Sequence, residues 1–96
     1  MATKTSMKIT RGASNTLIAS GIGCQFDNIN DEVAVDHGEV GVDYFRWITN
    51  PGFVPPVAQG DTLTDERSGL IYRVRGQVEF FGTHHVEAKI DHKRMT

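Results

Sequence analysis

"SGLIYRVRGQVEFFGTHHVEAKID", residues 68 to 91, carries the strongest pattern in the chain. Its even positions read Leu70, Tyr72, Val74, Gly76, Val78 and Phe80, and its odd positions from 73 to 79 read Arg73, Arg75, Gln77 and Glu79. A period of two places the apolar set on one face of a β-strand. After Gly82-Thr83 the alternation resumes, with Val86, Ala88 and Ile90 apolar and His85, Glu87, Lys89 and Asp91 polar. The stretch therefore predicts a hairpin. A two-residue loop at Gly82-Thr83 would set even positions opposite odd ones and mix the two faces, so a three-residue loop or a bulge is required. With Phe81-Gly82-Thr83 as the loop, Val78 faces Val86, Val74 faces Ile90, Arg73 faces Asp91 and Glu79 faces His85. The rival register, two residues along, opposes Glu79 to Glu87, which costs a few tenths of a kcal/mol. The first register has its own clash, Arg75 against Lys89, and is favoured for its shorter loop.

Outward from the hairpin, further strands are predicted. "TLIASGIGCQF" (16 to 26) reads as a strand with a bend or bulge near Gly21 to Gly23. "VGVDYFRWIT" (40 to 49) puts Val42, Tyr44 and Ile48 on one face and Phe45 and Trp47 on the other, so both faces are at least partly covered. "GDTLTD" (60 to 65) is a short strand joined to Leu70 by the polar turn Glu66-Arg67-Ser68-Gly69. Pro51-Gly52 and Pro55-Pro56 make "TNPGFVPPVAQG" an extended loop. Ten glycines punctuate the chain too often for long helices. The expected fold is all-β, a small barrel or sandwich of five to six short antiparallel strands with long loops. The 96 residues form one domain, with residues 1–10 a flexible or assembly-ordered N-terminal arm.

Composition excludes several classes. Apolar residues make up 39% and charged residues 23%, a balance unlike that of a disordered chain, and no stretch reaches the ~18 apolar residues of a membrane helix. "MATKTSMKIT" lacks the apolar core of a secretory signal, so synthesis and function without export are expected. A single cysteine, Cys24, permits no internal disulfide and no multi-cysteine zinc site. The net charge of −2 hides an asymmetry: residues 12 to 45 hold Asp27, Asp31, Glu32, Asp36, Glu39 and Asp43 and no Lys or Arg. There is no continuous basic footprint for nucleic acid.

Candidate chemistry is sparse. His84 and His85, as adjacent strand residues, would point to opposite faces, and His37 and His92 lie far along the chain, so three or four ligands do not converge as zinc requires. "GIGCQF" fails the G-x-G-x-x-G pattern because position 26 is Phe. Cys24 has no histidine near it in sequence and reads as a buried thiol. Asp61, Asp65 and Glu66 sit beside Gly and Ser as turn residues commonly do. No enzyme, cofactor or metal is expected. Phe53, Val54, Pro55 and Val57 are apolar residues in a Pro-rich loop, equally suited to folding back over the barrel end and to contacting a neighbouring protein.

The order "SGIGC" (20 to 24), an acidic segment, "QGDTLTD" (59 to 65), "SGLIYRVRGQ" (68 to 77) and a return strand containing "HHVEAKI" (84 to 90) resembles the head-tail joining proteins of tailed bacteriophages, the stopper or head-closure group. The likeness runs from about residue 16 onward, and its strongest part is Gly60-Asp61 followed by Gly69, Tyr72 and Val74. The resemblance implies a structural virion protein made in the host cytoplasm and placed in the neck. There it would form a homo-oligomeric ring, a dodecamer, beneath the portal and adaptor, closing the channel and docking the tail. DNA would be passing cargo, and neither membrane nor catalysis would be involved. In that setting the acidic residues Asp27, Asp31, Glu32, Asp36 and Glu39 are expected to face the channel, and Phe53 to Val57 a neighbour. A tail-terminator protein of the same virion and an unrelated β-barrel interaction module are the alternatives.

Overall fold

Six antiparallel strands, β1 (Thr3–Arg11), β2 (Thr16–Asn28), β3 (Val42–Thr49), β4 (Thr62–Asp65), β5 (Ile71–Phe81) and β6 (His85–Lys93), close into a barrel in the order β1-β2-β3-β6-β5-β4. This computed structural model describes residues 2–30 and 41–93. Closure gives every strand two neighbours along part of its length and satisfies the ladder without a covering helix. The turns β1–β2 and β5–β6 and the β3–β4 loop gather at one end, called here the hairpin end. The β4–β5 turn, the start of β1 and the end of β6 lie at the other.

The interior is filled by Met7, Ile9, Ile22, Cys24, Phe26, Trp47, Val57, Leu63, Tyr72, Val74, Val86, Ala88 and Ile90, all buried. Each fully buried large side chain stabilises by about 1.5–3 kcal/mol. Phe26, Phe45 and Tyr72 meet with ring centroids 5.2 to 5.5 Å apart, two of the three contacts edge to face. On β3, Trp47 and Phe45 point to this core, while Val42 and Tyr44 join Ile29 in a second small cluster. Both faces of β3 are thus covered, as its pattern predicted.

Two expectations need correction. Residues 3–11 are not an arm: they form β1, paired with β2 on one side and β4 on the other, with Met7 and Ile9 wholly buried. The alternation of Met7 and Ile9 is only two residues long inside a run of Thr, Ser and Lys, too short to announce a strand. The hairpin register is the second. Arg73 faces Asp91, Val74 faces Ile90 and Arg75 faces Lys89 as expected, but beyond Arg75 the pairing shifts so that Glu79 faces Glu87 and Phe80 faces Val86. A bulge on β5 between Arg75 and Glu79 joins the two registers. A shift of two residues preserves the inward set, and Gly76, at φ +64°, supplies the left-handed conformation that the bulge needs.

Both like-charge oppositions therefore occur in one hairpin, and each is relieved sideways. Arg75 Nε lies 3.2 Å from an Asp91 carboxylate oxygen, and its guanidinium sits 5.6 Å from the centre of the Tyr44 ring. Glu87 takes a 2.9 Å contact with His85 Nε2.

Removing β1 residues is expected to abolish the fold rather than trim it. Deletion of residues 1–10 should give an unfolded chain, and Ile9→Ala should lower stability by about 2–5 kcal/mol in urea unfolding. A loss near zero would show that β1 does not seal the barrel.

Candidate functional site

The hairpin end is shaped by the loop between β3 and β4. Asn50 N–H donates to Gly23 O at 2.9 Å, and Gly52 N–H donates to His84 O at 2.8 Å, so the loop bridges β2 and the β5–β6 turn. Thr49 Oγ1 donates to Phe53 O at 2.7 Å and accepts from Val86 N–H at 2.8 Å. The approach to β2 is close: a Cβ on Gly23 would fall 2.8 Å from Asn50 Nδ2 and 3.3 Å from Phe53 Cε2. The loop's far end is tied by Asp61, which is 2% exposed and accepts from Arg11 Nε and Nη2, each at 2.8 Å, and from Ala58 N–H at 2.8 Å. Arg11 Nη2 also donates to Pro56 O at 2.9 Å. One buried carboxylate thus clamps β1, the loop and the start of β4 together.

The four loop residues expected at a partner surface divide into two pairs. Phe53 and Val54 remain 38% and 36% exposed, whereas Pro55 is buried and Val57, at 3%, belongs to the barrel core. The loop folds back at Pro55-Pro56 because Val57 then leaves water for the core cluster, which is favourable. Pro55 and Val57 are therefore not available to a partner, contrary to the expectation from the sequence. Three other apolar residues join Phe53 and Val54 at this end: Leu17 at 59%, Phe80 at 52% and Phe81 at 41% exposed. The period of β5 placed Phe80 inside. It lies outside because β4 ends its pairing with β5 at Arg73, and among the described residues no strand continues on that flank to enclose Phe80.

Of the acidic set, Asp27 is exposed and sits within β2, paired with Arg46 of β3. Asp31, Glu32, Asp36 and Glu39 lie outside the described residues, as does His37. Asp43 accepts from Asn30 Nδ2 at 2.9 Å.

Several other titratable groups make contacts that tie the barrel together. Asp65 accepts from Thr5 Oγ1 at 2.6 Å and from the backbone N–H of Arg67 at 2.9 Å. Burial acts to raise its pKa, but these hydrogen bonds outweigh it and hold the carboxyl below its ordinary value. Asp61 is also held low, chiefly by the Arg11 hydrogen bond. Glu66 Oε1 accepts from Gly21 N–H at 2.9 Å. Cys24 is wholly buried, and burial pushes its thiol up to about 11. His84 and His85 do not diverge as expected of neighbours on a strand. His84 lies in the turn, and the two rings meet with Nδ1 atoms 2.7 Å apart, His85 stacked on Phe81 at 4.5 Å. Among the described residues no group of three or more His, Cys, Asp or Glu is placed to hold a metal ion.

No family model, curated protein or solved structure matches this chain.

Asp61 and Asp65 have folded pKa values below the ordinary 3.8, so their stabilisation is complete above that value and is lost as pH falls through the folded value. The urea midpoint should be flat from about pH 7 to pH 5 and fall steeply below about pH 4. Asp61→Asn should lower the midpoint at neutral pH and flatten the acid slope; an unchanged slope would show that the clamp is idle. Native Cys24 should resist alkylation at about pH 7 and react at once in denaturant, because both the buried position and the raised pKa suppress the thiolate. Rapid labelling of the folded chain would contradict that placement.

Proposed function

We propose that this chain is a structural ring subunit of a tailed-bacteriophage neck, joining the DNA-filled head to the tail beneath the portal and adaptor. The observation that carries the reading is the hairpin end. Five large apolar side chains stand exposed there: Phe53 and Val54 on the loop tied by Thr49 and the Asp61 clamp, Leu17 on β2 paired with β1, and Phe80 and Phe81 on β5 paired with β6. A rigid, partly apolar end on a small barrel suits a protein that works by touching other proteins. The order of motifs from "SGIGC" (20 to 24) through Gly60-Asp61 to the hairpin supports the same reading, since it resembles the stopper group. In this reading the acidic stretch that begins at Asp27 faces the channel, where negative charge discourages DNA from adhering.

Electron microscopy and co-sedimentation of particles test the proposal. The chain should travel with filled heads and occupy the neck, and its loss should give heads that release DNA or fail to take tails. Travel with isolated tails instead would make it a tail terminator, and absence from both would overturn the reading. Phe53→Ser should reduce assembly of joined particles severalfold while leaving the free chain folded, because Phe53 is outside the core cluster.

A further inference from the structure

We propose that copies of this chain join edge to edge, with the open flank of β5 over residues 77–81 pairing antiparallel to the open flank of β2 over residues 16–20 in the next copy. This deepens the ring reading above by naming the surfaces that would build the ring.

The two flanks are open because the strands between them are short. β5 pairs with β4 only from Ile71 to Arg73, and the last backbone bonds on that flank join Val74 to Gly60 and Asp61. From Gln77 to Phe81 its only strand partner among the described residues is β6. β2 pairs with β3 only from Cys24 to Asn28, so among the described residues β1 is the one strand paired with residues 16–20. Unpaired N–H and C=O rows of this kind are templates for another strand. Each flank carries an exposed apolar side chain, Leu17 at 59% and Phe80 at 52%, and residues 12 to 26 contain no charged side chain, so burying the β2 flank strands no ion, while the β5 flank brings Glu79 on its solvent side.

The barrel order selects a second copy as the occupant. In β1-β2-β3-β6-β5-β4, β2 and β5 stand three places apart, on opposite sides of a six-stranded ring, and they run in opposite directions. Two copies set side by side in the same orientation therefore bring β5 of one against β2 of the other as an antiparallel pair. Both flanks open in the same rotational sense around the barrel, so they face each other across the contact. The interface is heterologous, using two different surfaces per copy, and it propagates into a ring where each step turns slightly.

Sedimentation velocity on the purified full chain tests this with Leu17→Lys and Phe80→Lys, since an exposed lysine on an edge strand blocks pairing. Wild type should associate with rising concentration into species larger than a dimer. Each variant alone should weaken that association at least tenfold with an unchanged far-ultraviolet circular dichroism spectrum. Mixed one to one, the variants should recover a dimer and nothing larger, because one keeps an intact β5 flank and the other an intact β2 flank. Amide hydrogen exchange on wild type should show protection rising with concentration at residues 16–20 and 77–81 together. A monomer up to about millimolar concentration, association untouched by either lysine, or a mixture that stays monomeric would overturn the proposal. A neck ring seen by microscopy with other surfaces in contact would leave the head-tail reading standing and remove this one.

Discussion

A barrel can be closed only over the length of its shortest strand, and here that strand is β4, four residues long between neighbours of nine and eleven. It holds β1 and β5 together near the middle of the molecule and nowhere else. Within that belt Ile9, Leu63 and Tyr72 lie side by side, and with Val74 next to them they pack into a core that water barely reaches. Above it the two long hairpins continue without a strand between β5 and β1. The gap is bridged by a clamp instead of a ladder. Arg11 at the end of β1 reaches Asp61 just before β4, and the same carboxylate accepts the Ala58 N–H, so three segments converge on two oxygen atoms. Because the carboxylate is buried and its guanidinium partner half-exposed, the clamp's value rests more on satisfied hydrogen bonds than on charge attraction.

The bulge in β5 belongs to the same constraint. A hairpin that outgrows its barrel must change its twist where the enclosing strand stops, and an extra pair of residues on one strand does so without exchanging inside for outside. The bulge lies just past Arg73, where β4 lets go. It leaves like charges opposed at Arg75 with Lys89 and at Glu79 with Glu87, and the structure answers with Asp91 and His85 placed along the return strand to take up one member of each pair. Opposed charges on a solvated face cost little when diagonal partners are within reach.

Legibility in the sequence follows from how long each pattern runs. The β5–β6 hairpin, β4 and both faces of β3 are readable because period-two alternation persists or because turn residues bracket the strand. The all-β barrel follows from them. β1 was not readable, since its inward residues are Met7 and Ile9 set among Thr and Lys, and it takes pairing with β4, far along the chain, to complete its place in the barrel. The hairpin register was half readable for a definite reason: registers that differ by two residues satisfy the same alternation, and the choice is made by the backbone at Gly76. In the β3–β4 loop, Phe53 and Val54 stay exposed while Val57 turns into the core, and nothing local in the sequence distinguishes a loop residue that folds inward from one that does not. Phe80 could not be placed outside without knowing where β4 ends.

The division between a closed half and an open half gives a small chain two properties that usually conflict. Stability needs apolar side chains removed from water, and association needs some of them left in it. Here the two demands fall on different lengths of the same strands. Val74 and Phe80 lie on one strand with the same parity, yet the first is 1% and the second 52% exposed. Val74 is bonded on that flank to Gly60 and Asp61 at the entry to β4, whereas Phe80 lies beyond the reach of that segment. Lengthening β4 would enclose Phe80 and make the monomer more stable, and it would also fill the flank that a further strand could occupy. A short β4 is therefore the feature that leaves the end of β5 with one strand partner among the described residues, and the Asp61 clamp ties β1 to the loop where that ladder stops.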